Sequence, residues 1–433
     1  MIVPRTRLLV AFGFVVVPAA LLAAAPGALF AAVVLVVLFV AVLAVDAMLG
    51  RGKTEGVAVE LPQVIRLVRR RGGTVPVVIR GAEHAQRTVR VGILVPAELG
   101  CERDDFDAAV PSVLSMECKA PIRGTFPIGA AALEAASPLG LWSVRRTVPL
   151  QSEVRVYPDL GADRRLLAPL LTRRGSGLHI QRQVGRGREF ENLREYIPGD
   201  AINEIHWKAT ARRSRLVTRT FRIERAQEIY AVIDCSRLTG RACADGDDIL
   251  ERYVSATLGL ALASRQQGDL FGLITFSDTV HAFVRAGSTH AHFSACRNAL
   301  LDLKSRMVTP DYGELFTILD ARLRRRAMLV FLTELDDPVL AEDFIRAAAT
   351  LSHRHLLAVA SVRDAATRSL FDLPAASDSE VYERLGGHLA WRRLRETAGK
   401  LGARGIRMMT ADASRLTLEL AQFYRNVRQR QAI

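Results

Sequence analysis

The sequence predicts a multidomain protein: an N-terminal transmembrane helical hairpin, a β-sandwich and a C-terminal doubly wound α/β domain. Three observations predict it. Residues Leu8 to Val45 carry no charged side chain. Between Gly56 and Pro158, short β-rich runs are broken by Gly and Pro. From Gln227 onward, apolar runs of strand length alternate with helical stretches. At 433 residues the chain has room for two or three domains of ordinary size. The expected limits are 1–50 for the hairpin anchor, 55–160 for the sandwich, 161–226 for a basic connector and 227–433 for the α/β domain.

A single helix from Leu8 to Val45 would be roughly 57 Å long, far more than a hydrocarbon core of about 30 Å. Pro26-Gly27 supplies a break in the middle. Two spans follow, Leu8–Ala25 and Ala28–Val45. Arg5 and Arg7 precede the first, and Arg51 and Lys53 follow the second. The positive-inside rule then puts both ends and the bulk of a multi-pass protein on the cytoplasmic side of the inner (plasma) membrane. A signal peptide ending near Ala23-Ala24-Ala25 is the competing reading, but the apolar run continues well past that point.

The runs Val75–Arg80, Thr88–Val95, Leu141–Pro149 and Glu153–Tyr157 predict a sandwich of about 100 residues. The five cysteines, Cys101, Cys118, Cys235, Cys243 and Cys296, include no CxxC pair and no metal-ligand spacing. Reduced, mostly buried thiols in a reducing compartment are expected.

The net charge is +14, and it is uneven. From Arg164 to Arg225 there are 15 Lys/Arg against 6 Asp/Glu, 15 − 6 = 9 in excess. Clustered arginine suits nucleic-acid phosphates. It equally suits anionic lipid headgroups or an acidic partner. The membrane segment favours the second reading, and nucleic-acid binding is not expected.

In the C-terminal half, strands are expected at Glu228–Asp234, Leu270–Phe276, Ala327–Thr333, Leu356–Val362 and Gly405–Thr410, with Val280–Arg285 returning as a hairpin. Helices are expected near Gly246–Gln266, Ala291–Leu303, Leu315–Arg325, Pro338–Ser352, Ser379–Leu401 and Ala413–Arg428. Buried strands alternating with helices predict a largely parallel sheet covered on both faces. Ligands of such sheets bind outside the carboxyl ends of the strands. Those ends read Asp234-Cys235-Ser236-Arg237-Leu238 and Thr333-Glu334-Leu335-Asp336-Asp337. Asp234, Ser236 and a later carboxylate are hard oxygen donors of the kind magnesium prefers.

Asp234-x-Ser236 resembles the metal-ion-dependent adhesion site of von Willebrand factor A domains. The block Gly187–Phe190, Arg194-Glu195-Tyr196, Pro198-Gly199-Asp200, His206-Trp207-Lys208 and Ala211-Arg212 resembles the signature of the domain-of-unknown-function-58 family. Ser137-Pro138-Leu139-Gly140-Leu141-Trp142 and Val156-Tyr157-Pro158 resemble its upstream segments. The resemblance implies two membrane spans, a β domain, a von Willebrand factor A-like α/β domain and a MoxR-type AAA+ ATPase partner. For the metal it implies Asp234, Ser236, Glu334 and Thr309. Leu238 stands where a second serine belongs and Glu334 where aspartate is usual, so a weak, degenerate Mg2+ site is expected.

Within the connector, Glu195, Tyr196, Asp200, Trp207, Lys208, Arg212 and Arg213 interleave aromatic and charged groups. Such a mixture serves either as a partner-binding surface with aromatic and arginine anchors or as a solvated, salt-bridged link. GxxxxGK[ST], GxSxG, HExxH and GxGxxG are all absent. The expected function is a membrane-anchored protein-interaction scaffold, not an enzyme, partnering the ATPase in assembly or maturation of client proteins. A magnesium-dependent enzyme of cell-envelope metabolism is the competing class.

Overall fold

A computed structural model of the chain describes residues 1–25, 27–81, 87–159, 161, 167–168, 184–197, 205–222, 226–244, 246–364, 366–371 and 377–429. Contacts divide it into two units, residues 1–159 with 301–303, and the remainder.

The first unit opens with strand β1 (Ile2–Pro4) and helices α1 (Thr6–Ala23) and α2 (Leu29–Arg51). Both helices are long and apolar enough to cross a bilayer, by length and composition. They are apolar all round, and side chains such as Phe14 and Phe30 stand 77% and 80% exposed, a surface suited to lipid. Gly27, in the turn between them, has φ +85°, which glycine adopts without a Cβ clash.

Strands β2 (Ala58–Glu60), β3 (Val64–Val68), β4 (Gly72–Arg80), β5 (Arg87–Ile93), β6 (Asp105–Val110), β7 (Ser112–Lys119), β8 (Gly124–Ala136) and β9 (Trp142–Tyr157) follow. They form one sheet in the order β1-β9-β8-β5-β6, with β3 also on β9, and a second in the order β2-β4-β7. Val75, Val77 and Ile79 alternate inward along β4 and meet Val89, Val91, Leu133 and Val154 in one core. Each such side chain contributes about 1.5–3 kcal/mol on full burial. The expected strands Leu141–Pro149 and Glu153–Tyr157 are one continuous strand, because pairing with β8 runs on through Pro149.

The helices are fastened to this sheet at both ends of the pair. β1 pairs antiparallel with β9 from Ile2↔Val144 to Pro4↔Trp142. Asp46, buried near the end of α2, accepts hydrogen bonds from Ser137 Oγ at 2.6 Å and the Leu139 N–H at 2.9 Å. Trp142 Nε1 donates to the Leu43 carbonyl at 3.1 Å, and Lys53 Nζ to the Ala136 carbonyl at 2.9 Å. The Ser137–Trp142 segment picked out in the sequence is therefore the clamp that holds α2.

The cysteine expectation needs correction here. Cys101 and Cys118 form a disulfide, facing each other across an isolated antiparallel bridge. Strand register brings them together over 17 residues of sequence, and no local spacing announces that. Cys235 and Cys296 are buried thiols, as expected, and Cys243 is a half-buried thiol outside the disulfide.

The second unit contains β10 (Val184–Glu195), α3 (Trp207–Arg213), β11 (Val217–Arg222), β12 (Glu228–Asp234), α4 (Ile249–Gln266), β13 (Leu270–Phe276), β14 (Val280–Gly287), α5 (His290–Leu301), α6 (Tyr312–Arg322), β15 (Ala327–Leu332), α7 (Pro338–Ala348), β16 (Leu356–Arg363), α8 (Asp378–Gly402), β17 (Arg407–Asp412) and α9 (Leu416–Gln429). β10 and β11 pair antiparallel. The main sheet runs β14-β13-β12-β15-β16-β17, with every neighbouring pair parallel except β13 with β14.

Tyr230, Val232, Phe276 and Phe331 of the strands pack with Tyr312, Phe316 and Phe344 of α6 and α7. Phe316 stacks on Phe331 at 5.1 Å, and Tyr312 meets Phe344 edge-on at 5.2 Å, arrangements favoured by the ring quadrupoles. α4 lies against α9 so closely that a Cβ on Gly259 would fall 2.4 Å from Thr417 Cγ2. Asp311 caps α6, and Asp337 with Pro338 starts α7.

Candidate functional site at the strand ends

β12 lies between β13 and β15, so the chain departs to one side of it and later returns to the other. That reversal opens a crevice at the carboxyl ends of β12 and β15, where parallel sheets hold their ligands. Asp234 ends β12, and Thr333 and Glu334 follow β15 directly.

Asp234 is wholly buried, and both of its oxygens accept protein hydrogen bonds. The Ser236 N–H donates to Oδ1 at 2.8 Å and Thr333 Oγ1 donates to Oδ2 at 2.7 Å. With its hydrogen committed to Asp234, Thr333 takes the hydroxyl hydrogen of Tyr312, 2.9 Å away. Burial pushes the Asp234 carboxyl above its ordinary range, and the Thr333 and Ser236 donors oppose that rise. Ser236 Oγ accepts the Leu238 N–H at 3.4 Å.

Glu334 is the second buried carboxylate, 1% exposed. Its Oε1 accepts the Tyr253 hydroxyl from α4 and the Val362 N–H at 2.9 Å. Its Oε2 accepts no hydrogen bond among the described residues and lies 3.5 Å from the Arg241 guanidinium. Arg241 also binds Asp336 at 2.9 Å and the Leu238 carbonyl at 3.2 Å. Burial, reinforced by the Asp336 charge, pushes Glu334 up to about 7. The same buried setting holds the Tyr253 hydroxyl well above its usual range.

Arg237, Arg241, Glu334, Asp336 and Asp337 line a cleft of about 520 Å³, closed on another side by Arg393 of α8. As a magnesium shell this donor set fits poorly. Both Asp234 oxygens are engaged, Leu238 offers no ligand, and Arg241 already places a positive charge between Glu334 and Asp336. Among the described residues, no group of three or more His, Cys, Asp or Glu is placed to hold a metal ion. Asp234, Ser236 and Glu334 do come to the strand ends together. Thr309 is exposed and makes no hydrogen bond to Asp234 among the described residues. The hydroxyl that reaches Asp234 belongs to Thr333, which its apolar neighbours in the sequence assign to the strand.

In the connector, Glu195 pairs with Arg215. The Tyr196 N–H donates to the Leu216 carbonyl at 3.0 Å. Trp207 is 62% exposed, and Lys208 and Arg212 beside it are exposed. Arg213 ends α3. Asp200 lies outside the described residues. His206 caps α3, accepting the Ala209 N–H at Nδ1, 3.1 Å away.

Residues 192–395 match the family model described as protein of unknown function DUF58, so the resemblance read from the sequence holds over that segment. Uncharacterized proteins of Mycobacterium bovis and Mycobacterium tuberculosis are 25% identical over 192 residues, 43% of this chain. The match spans 59% of the length of those relatives. Among solved structures, the SpRpn10 VWA domain aligns with TM-score 0.28 and 10% identity, over 46% of this chain and 95% of that one. An uncharacterized membrane spanning protein from Vibrio fischeri aligns with TM-score 0.17 and 14% identity, over 47% and 98%.

Proposed function

We propose that this protein is a membrane-anchored interaction scaffold. Its apolar helices form a hairpin in the inner membrane, followed by a β-sandwich and a doubly wound, von Willebrand factor A-like domain that holds a protein partner. The observation that carries the reading is the cleft at the β12–β15 crevice, where the exposed Arg237, Arg241 and Arg393 share the lining with the buried carboxylate of Glu334. Nothing in this reading requires a reaction or a bound metal.

The hairpin is supported by β1 returning to β9 while the chain beyond α2 enters the same β-rich unit. Both ends of the helix pair are thereby on one side. Arg5, Arg7, Arg51 and Lys53 support the cytoplasmic side. A MoxR-type AAA+ ATPase as the partner is supported by the family resemblance, and the exposed Trp207 with Lys208 and Arg212 gives it a second contact surface. The anchor would raise the local concentration of the ATPase or its client at the membrane.

The test is site-specific photo-crosslinking of the full chain in membranes, with the crosslinker at Trp207 or at Pro338, an exposed residue that lines the cleft. An ATPase joined to either position supports the reading. A full-length chain that crosslinks to no protein at either position removes it. Substrate turnover abolished by Asp234→Ala would replace it with the enzyme reading.

A further inference from the structure

We propose that the strand-end cleft grips an acidic side chain of a partner polypeptide directly on its arginines, with no bridging metal ion. This rests on the scaffold reading above and specifies what the scaffold holds.

Four observations converge on it. Arg237, from the turn after β12, and Arg393, from α8, line the cleft on different elements. Both are exposed, and neither makes an ion pair among the described residues. Two unengaged guanidinium groups around a concavity of this size are suited to a carboxylate, which arginine binds through paired N–H donors. Second, Arg241 is already held by Glu334, Asp336 and the Leu238 carbonyl. Glu334 and Asp336 therefore share a resident counter-ion, and the third acid of the cleft, Asp337, is committed to capping α7 by accepting the Val339 N–H.

Third, Glu334 lines the cleft at 1% exposure, and its Oε2 has the 3.5 Å ion pair with Arg241 but accepts no hydrogen bond among the described residues. A buried carboxylate oxygen lacking a hydrogen bond is under-satisfied, so a ligand bringing an N–H to it is favoured. A polypeptide carries both parts, a carboxylate for the rim and backbone N–H groups for the floor. Inorganic phosphate brings an anion but no N–H donor. Fourth, both Asp234 oxygens accept hydrogen bonds from within the protein, which commits that carboxylate internally rather than to a bridging cation.

The test is fluorescence polarisation of a labelled hexaglutamate peptide against the full chain in detergent, with hexaglutamine as the control. Binding should be the same within about twofold in magnesium and in EDTA. Arg237→Gln/Arg393→Gln should weaken it about tenfold or more, as loss of charge-assisted hydrogen bonds implies. Arg324→Gln/Arg404→Gln removes the same charge at other exposed positions and should leave binding nearly unchanged.

Equal loss in both double variants would show that only the net charge attracts the peptide. Equal binding of hexaglutamine, or loss in EDTA, would also overturn the proposal. So would stronger competition by inorganic phosphate or by phosphatidylserine vesicles than by unlabelled hexaglutamate. Adding hexaglutamate to the crosslinking experiment separates the two readings. A partner captured at Pro338 that the peptide does not displace sinks this proposal and leaves the scaffold standing, whereas no captured partner sinks the scaffold itself.

Discussion

Thr333 donates its hydroxyl hydrogen to Asp234 at 2.7 Å, bridging the carboxyl ends of two neighbouring parallel strands. Tyr312 completes the chain by donating to Thr333. The carboxylate at the centre of the sheet is thus tied from β12, β15 and α6 at once, in a site without water access. Thr333→Val keeps the shape and removes the donor, leaving a buried carboxylate oxygen unsatisfied. The expected cost is about 1–3 kcal/mol in a urea melt of the full chain, with Thr333→Ser recovering most of it. A Thr333→Val protein as stable as the wild type would show that the bond contributes nothing.

Glu334 sets a pH dependence with a definite sign. Its folded value is raised from 4.5 to about 7. Below pH 4.5 the group is protonated whether folded or unfolded, and its contribution is fully present. As pH rises through 7 the folded chain must ionise it in a buried setting, so stability falls, by on the order of 3 kcal/mol, and then levels off. Asp234, also raised by burial, acts in the same direction. Glu334→Gln should therefore flatten most of the slope in melting temperature between pH 5 and 8 without abolishing it. Wild-type stability that climbs over that range would contradict the assignment.

Magnesium should be a bystander. A ligand that binds only the folded state raises the melting temperature with its concentration. Millimolar magnesium, or EDTA in its place, is expected to leave the melting curve of the wild type where it was. A concentration-dependent rise in magnesium that Asp234→Ala abolishes would establish a cation at the strand ends after all.

Asp46 ties the second apolar helix to the β-rich unit through Ser137 and Leu139. Asp46→Ala strands a buried hydroxyl and a backbone N–H together, a loss of about 2–4 kcal/mol from two unmet donors. Limited proteolysis of the protein in membranes should then cut faster between Gly52 and Ala58, and Asp46→Asn should cut at an intermediate rate. Cleavage unchanged in Asp46→Ala would mean that the clamp is dispensable.

The Cys101–Cys118 link bears on which side of the membrane the β-rich unit occupies. Disulfides persist in oxidising compartments and are rare in the cytosol. With the cytoplasmic placement proposed above, both thiols should react with maleimide when cells are lysed directly into denaturant and alkylating agent. After oxidation of the purified chain the same sites should be protected. Protection already present in that direct lysate would move the unit to the opposite side.

Much of the second unit was legible because buried parallel strands are apolar on both faces. Glu228–Asp234 and Leu270–Phe276 have the bounds their composition predicts. The apolar helices were legible from a related signal, since a charge-free run of that length matches the thickness of a bilayer twice over. Through-space pairing was not legible. Tyr253 reaches Glu334 from 81 residues away, and Arg241 reaches Asp336 from 95. Neither carries a local spacing signal. In the sequence Thr309, just before Pro310-Asp311-Tyr312, is the candidate threonine, and Thr333 reads as the end of the strand Ala327–Thr333. Only the position of Thr333 one residue past the end of β15 frees its hydroxyl for Asp234.

The strand Ile2–Pro4 leaves the ribosome well before its neighbour along the sheet, residues 142–144. In the membrane-anchored arrangement proposed above, two apolar helices are delivered to the bilayer in that interval. The β-rich unit therefore cannot close its sheet until translation has passed that point and the amino terminus has remained on, or returned to, the side where residue 144 appears. In that arrangement membrane insertion and completion of the fold would be consecutive events on one polypeptide, and an error in the first would leave β9 with an open edge, the kind of unpaired strand from which aggregation begins.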